Sequence, residues 1–342
     1  MADIVMVDDG IAFDGRTAED GPLGGAETAF VALAEALAAR GHRVEARSRA
    51  AASLTHRDVR WAPTAQSVPQ RCDLYIANRG ALLLGLVPQP KRRALWLHNP
   101  ARYLAKPRNA WRLAWYRPTL ITTGAYHAST IPPHLIDGGH VVIPYGVLDG
   151  FRHVMPRDPP PPRAIFTSNP LRGLDWLLDL WVAQIRPAVP EAELHIYAGA
   201  AVYGGAITGA GAMEKVLARA DALAGDGVFR HAPVGRAALA QMLSQARVML
   251  YRGDPGETFC LALAEAQAVG VPAIVQPLGS VGERVRDRET GRVAATDSDF
   301  IAAAVAALRD DTLWTRWHRA ALATQRGLGW DEVAERYEAL LG

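Results

Sequence analysis

Two carboxylates, Glu257 and Glu265, stand eight residues apart and bracket an otherwise apolar run, Gly256–Pro272, reading GETFCLALAEAQAVGVP. If the run is helical, eight residues rise about 12 Å, comparable with the distance from the sugar to the ribose of a sugar nucleotide. Pro255–Gly256 puts Glu257 in a loop or first turn. Thr258, Phe259 and Cys260 are then placed to offer N–H groups to a diphosphate. Glu265 falls among Leu263, Ala264, Ala266 and Ala268. A carboxylate there is costly unless something hydrogen-bonds it, as vicinal ribose hydroxyls would. The alternative is that Glu257 caps the helix dipole and Glu265 faces solvent; spacing alone leaves both readings open.

Other segments also have chemical potential. Gly21–Glu27, GPLGGAE, joins a strand region to an alanine-rich helix. Adjacent glycines let a ligand approach the main chain without a Cβ in the way, and the following helix end suits an anion. A plain turn is the competing reading. Asp297–Asp299, DSD, immediately precedes the helical run Phe300–Leu308, so capping and dipole compensation explain it more simply than a metal does. Arg102–Arg117 interleaves Arg102, Lys106, Arg108, Arg112 and Arg117 with Tyr103, Trp111, Trp115 and Tyr116. Basic residues beside indoles suit an anionic membrane or an acidic acceptor. Trp111 and Trp115 share a helical face, as two core residues also would; an aromatic core with solvated arginines is the favoured expectation.

The elements that must position these groups alternate. Short β-branched runs are expected as strands at Asp3–Val7, His42–Arg47, Cys72–Ala77, Ala94–His98, Leu120–Thr123 and Val141–Ile143, then at Ala164–Thr167, Glu193–Tyr197, Val248–Tyr251, Ala273–Gln276 and Arg292–Ala295. Helical periods separate them, clearest at Ala26–Ala39, Leu174–Ile185, Arg236–Gln245 and Thr258–Ala268. That alternation predicts an α/β protein with parallel, doubly wound sheets. A length of 342 residues favours about two domains. The proline-rich segment Pro156–Pro162, PRDPPPP, reads as an extended linker between them.

With 49% apolar residues and a net charge of +2, the chain is neither disordered nor globally basic, and no nucleic-acid partner is expected. Cys72 and Cys260 form no CxxC or His/Cys cluster, which argues against a zinc site and a disulfide. MADIVMVDDG is acidic and does not read as a signal peptide. Without an uncharged run of about 18 apolar residues, no spanning helix is expected. A cytoplasmic location follows, with Arg102–Arg117 as a candidate peripheral contact to the inner membrane face.

Glu257–Pro272 resembles the "E, seven residues, E" signature of retaining glycosyltransferases of family 4, the glycosyl transferases group 1. GGAETAFVALAEALAARGHRV (24–44), VIPYGVLDGF (142–151) and WDEVAERYEALL (330–341) resemble that family's first loop and helix, inter-domain segment and terminal helix. The resemblance implies the GT-B fold: two Rossmann-like doubly wound domains facing each other across a cleft. Residues 1–152 would form the acceptor-side domain, 153–162 the linker and 163–328 the nucleotide-sugar domain, with the helix at about 329–342 crossing back to the first. It also implies that Glu257 holds the donor sugar, Glu265 the ribose, and the main chain of Thr258, Phe259, Cys260 and Leu261 the sugar and diphosphate. Gly24 and Gly25 would approach the phosphate, and His98 would contact the sugar near the reacting carbon; a satisfied core or loop histidine is the alternative. In FTSNPLRGL (166–174), Arg172 occupies the position of the family's lysine, while the earlier arginine is replaced by Thr167 or Ser168. Arg252 is the candidate compensating cation, against the reading of a solvated loop arginine. Tyr145 stands where asparagine is usual. The implied activity is metal- and cofactor-independent transfer of a hexose from a UDP- or GDP-type sugar nucleotide to a glycan, glycolipid or other cell-surface precursor. Alternatives are epimerisation or hydrolysis on the same scaffold, or non-catalytic sugar-nucleotide binding.

Overall fold

The runs DIVMV and VMLY are buried almost without interruption, the pattern of strands covered on both faces, and each lies in the middle of a parallel sheet. The computed structural model describes residues 1–199 and 209–342. The chain divides into one unit of residues 1–146 with 328–342 and a second of residues 147–327.

The first unit carries β1 (Asp3–Val7), β2 (Arg43–Ser48), β3 (Leu54–His56), β4 (Val59–Pro63), β5 (Arg71–Asn78), β6 (Gln89–Trp96), β7 (Thr119–Thr122) and β8 (His140–Val142). Their order in the sheet is β3-β4-β2-β1-β5-β6-β7-β8. The pairings are parallel, with Ile4 beside both Val44 and Leu74, except for the antiparallel β3–β4 hairpin. That hairpin turns on Arg57 and Asp58, both at positive φ, the conformation of a two-residue turn that matches strand twist. Helix Gly25–Ala39 buries Phe30, Leu33 and Leu37. Phe30 meets Phe13 edge-on with ring centroids 5.5 Å apart, and both rings pack on Trp61. The terminal helix Trp330–Glu338 lies with this unit: Arg40 donates through Nε to Glu338 and through Nη1 to Asp331, each at 2.7 Å.

The second unit carries β9 (Arg163–Phe166), β10 (Glu193–Tyr197), β11 (Val228–His231), β12 (Val248–Tyr251), β13 (Ala273–Val275) and β14 (Gly291–Val293), ordered β11-β10-β9-β12-β13-β14. In both sheets the chain winds outward from a central strand and then reverses, so the switch points lie beside β1 and β9. Ligand sites in such sheets form at the carboxyl ends of the strands flanking the switch. The segment Pro156–Pro162, read as a linker, lies with the second unit. The Arg157 main-chain N–H donates to His318 Nε2 at 3.1 Å and its Nη1 to the Val269 carbonyl at 2.9 Å.

Candidate functional site

β9 and β12 are neighbours on either side of the second switch point, and the loops that follow them bring together the residues singled out by sequence. After Phe166 the chain turns tightly: Asn169 Oδ1 accepts from the Leu171 N–H, and the Asn169 carbonyl from the Arg172 N–H, both at 2.9 Å. Gly173 follows at φ 85° against the Arg252 side chain, where a Cβ would come within 2.7 Å of Arg252 Cβ. The turn aims Arg172 at Glu257, Nη1 to Oε1 2.5 Å. Tyr251, the last residue of β12, donates its hydroxyl to the same oxygen at 2.5 Å. Glu257 is buried, while a third of the Arg172 side chain remains exposed. Burial works to lower the Arg172 pKa, but the Glu257 carboxylate more than offsets it, and the guanidinium stays charged. The Tyr251 hydroxyl is pushed up by burial and by Cys260 and Glu257, so it remains a donor.

The helix after this loop is Leu261–Ala268, three residues shorter at its start than the expected Thr258–Ala268. Cys260 adopts a left-handed conformation, φ 62° and ψ 73°, which separates Glu257–Phe259 from the helix. Glu257 and Glu265 therefore do not share one helix, and the 12 Å helical rise does not measure their separation. The first main-chain helix bond runs from the Ala264 N–H to the Cys260 carbonyl at 3.1 Å. The preceding N–H groups must be satisfied from outside the ladder, and that of Leu263 serves the Cys260 thiol. Thr258, Phe259, Cys260 and Leu261 are buried, with the Arg284 guanidinium 4.4 Å above the Phe259 ring. Gly279, at φ 62°, lies so close to the Asp254 and Glu257 carbonyls that a Cβ would come within 2.2 and 2.8 Å of them.

Glu265 does not face solvent. It is 1% exposed, and both its oxygens lie 2.7 Å from Nη1 of Arg236, the first residue of helix Arg236–Gln245. Burial raises its pKa and Arg236 opposes the rise. Arg252 is not the solvated loop arginine of the competing reading. Its guanidinium lies 5.1 Å from the Trp176 ring centre, and its Nε donates to Gln276 Oε1 at 3.1 Å. Gln276 in turn donates to Asp297 at 2.8 Å. Asp297 and Asp299 occupy the first turn of helix Asp297–Arg309, where Thr296 accepts from the Asp299 N–H. Ser168 is half-buried, and the neighbouring Thr167 hydroxyl is buried with no hydrogen-bond partner among the described residues.

A separate cluster occupies the carboxyl ends of β1, β5 and β6 in the first unit. Asp8 is fully buried and accepts from Asn78 Nδ2 at 2.5 Å and Arg79 Nε at 2.8 Å. Arg79 also reaches Glu27 at 2.5 Å, in the first turn of the helix opened by Gly24 and Gly25. His98 is buried with one ring nitrogen against the Tyr145 hydroxyl and the other against Asn78 Oδ1. Tyr145, where asparagine was usual, thus has a definite partner. Burial, Arg79 and His127 hold the His98 pKa well below 6.5. The expected outcome is a neutral imidazole from pH 6 to 8: its nitrogen NMR signals should not titrate there, and a midpoint inside that range would contradict this account.

The pairing Trp111–Trp115 overturns the expected aromatic core. Helix Pro107–Tyr116 turns Asn109 and Leu113 inward, and Trp111 and Trp115 are 58% and 70% exposed. Sequence reasoning also passed over Tyr251, Arg236, Asp8, Asn78 and Arg79. Only Tyr251 and Asn78 carried a signal, as the last residues of strands beside a switch point; Arg236 lies 29 positions before its partner with no motif linking them. Cys72 and Cys260 are free and buried. Among the described residues no helix is long and apolar enough to cross a membrane.

Two sheets of doubly wound order define the class: the chain has the GT-B fold of glycosyltransferases. It aligns along 99% of its length with 98% of sucrose-phosphate synthase from Thermosynechococcus elongatus, at a TM-score of 0.77 and 16% identity. Over its full length it aligns with 99% of HepE from Anabaena, solved with UDP and glucose, at a TM-score of 0.73 and 13% identity. More particularly, residues 162–311, which lie in the second unit, match the family model of the glycosyl transferases group 1. A curated relative, phosphatidyl-myo-inositol mannosyltransferase of Mycobacterium leprae (strain TN), is 39% identical over 83 residues, 24% of this chain and 22% of the relative.

Proposed function

We propose that the protein transfers a hexose from a nucleoside-diphosphate sugar to a carbohydrate-type acceptor, with retention at the anomeric carbon and without a metal. The observation that carries this reading is the Arg172–Glu257–Tyr251 cluster at the start of the buried helix within the segment that matches the group 1 family. In it a charged guanidinium and a carboxylate converge from the two loops that flank the switch point. A guanidinium has five N–H donors, and Glu257 engages Arg172 through Nη1. The diphosphate is assigned to Arg172 and the main chain of Thr258 to Leu261, the sugar hydroxyls to Glu257, and the ribose to Glu265, which Arg236 keeps oriented. Ser168 borders the diphosphate in this assignment, and Arg252 acts through Gln276 and Trp176 rather than as a direct clamp. Gly24 and Gly25 serve the phosphate and His98 the sugar; because both His98 ring nitrogens are paired, that contact requires exchange of one existing hydrogen bond. A UDP-sugar donor is favoured by the UDP held by the Anabaena protein.

In the reaction the bond from the anomeric carbon to the diphosphate breaks as positive charge builds on the sugar. The departing oxygen gains negative charge opposite Arg172, fixed in advance by Glu257, so little reorganisation is needed. The acceptor oxygen bonds to the same face of the carbon, and its proton passes to the leaving phosphate oxygen. A thermal-shift screen of UDP-, GDP-, ADP- and TDP-sugars tests the donor. A ligand at 100 times its Kd adds about 2.7 kcal/mol, so one nucleotide family is expected to raise Tm, and that donor should be consumed in chelator only when an acceptor is present. No shift with any donor, or turnover independent of acceptor, would overturn the reading.

A further inference from the structure

From Leu74 to Ile136 the chain contains nine cations and no aspartate or glutamate. With 35 acidic residues in 342, a stretch of that length would carry about six; Arg79 and Lys91 are paired with Asp8, Glu27 and Asp73 from outside it, and five of the remaining cations gather around one helix. That helix is Pro107–Tyr116. Trp111 and Trp115, one turn apart, stack with centroids 6.1 Å apart and planes 18° from parallel, and both face away from the core. Arg112 covers the Trp111 ring at 5.7 Å. Arg102, Lys106, Arg108 and Arg117 are exposed around them, and none of these five cations has an ion-pair partner among the described residues. The short turn Ala81–Gly85, which packs against this helix, leaves Leu82 and the adjoining Leu86 exposed as well.

We infer that this face docks on an anionic phospholipid surface, with the indoles at headgroup level and the cations over the phosphates. Indoles take that position because the ring is apolar and its N–H is polar. The charge decides the occupant. A symmetric contact with a second copy would set the same cations against each other. A nucleic acid could stack on the indoles but has no use for the exposed Leu82 and Leu86 beside them, which a lipid layer takes up. The docking needs neither donor nor transfer, and it stands apart from the proposed activity.

Co-flotation with phosphatidylglycerol-containing and pure phosphatidylcholine vesicles, without sugar nucleotide, tests it. The protein is expected to float with the former only, and to be released as salt shortens the Debye length. Each cation near an anionic surface strengthens binding about fivefold, so Lys106→Gln with Arg108→Gln should weaken it about 25-fold. Trp111→Ala with Trp115→Ala should weaken it roughly tenfold or more. Both variants should keep the parent Tm and its donor-induced shift, which separates this test from that of the transferase reading. Undiminished flotation of the tryptophan variant would overturn the inference. So would a dimer, or binding to a mixed-sequence oligonucleotide, that is lost with the same substitutions.

Discussion

Arg172→Ala is expected to give a folded protein whose kcat/KM for transfer is lower by about 10²–10³, the range for removing one preorganised donor from a developing anion. The reasoning starts from what the guanidinium does before any donor binds. Its charge is held by Glu257 at 2.5 Å, and the same Glu257 oxygen also accepts from the Tyr251 hydroxyl. Alanine removes the cation but leaves Tyr251 donating to the carboxylate, so the loop keeps one of its two anchors. Because a third of the Arg172 side chain is exposed, water can reach the vacated position and the loss of fold stability is modest. Lysine at 172 restores charge without the planar fork, and activity between the two is expected. Steady-state transfer rates, with Tm as the control for folding, check all three proteins. Activity of the alanine variant within threefold of the parent would remove Arg172 from the mechanism.

The two parallel sheets were legible because their strands are apolar and β-branched and are separated by helical periods. The β3–β4 hairpin was not, since Arg57 and Asp58 take positive φ without the glycine or asparagine that marks such turns. β11, VFRH, was missed because two of its four residues are exposed. The early start assigned to the helix after Glu257 has a local cause: Thr258, Phe259 and Cys260 fit the apolar pattern, but Cys260 breaks the helical conformation with a backbone angle that composition does not report. Trp111 and Trp115 show the limit of periodicity. Spacing of four places both on one face, and only the neighbours packed against Asn109 and Leu113 decide which face is inside.

The same limit applies to charge. Glu257 and Glu265 were recognisable as a pair, but the cations that hold them arrive from elsewhere in the fold, Arg172 from the β9 loop and Arg236 from the start of another helix. In the first unit, Asp8, Glu27 and Arg79 likewise meet only once β1, β5 and the first long helix are assembled. In each case a buried carboxylate is fixed by an arginine distant in sequence. Such sites are polarised before a ligand arrives, the condition under which charges act most strongly on a transition state.

Arg236→Met should have the largest effect on stability. Glu265 is 1% exposed, and its oxygens both face Arg236 at 2.7 Å. Removing one partner of a buried pair strands the other charge and typically costs about 3–5 kcal/mol. The pH dependence identifies the cause. Burial already raises the Glu265 pKa above 4.5 in the folded protein, so the folded state binds its proton more tightly than the unfolded chain does. Stability is therefore greatest below the unfolded value and falls as pH rises towards the folded one. Methionine removes the group that opposes the rise, which moves the folded pKa further up and extends the loss towards neutrality. Urea unfolding at pH 5 and pH 8 should show the variant losing more, relative to the parent, at pH 8. Adding Glu265→Gln to the same variant should recover most of the loss and flatten its pH dependence, because an amide needs hydrogen bonds but no counter-charge. Equal losses at the two pH values, or no recovery with glutamine, would mean that Arg236 contributes packing alone.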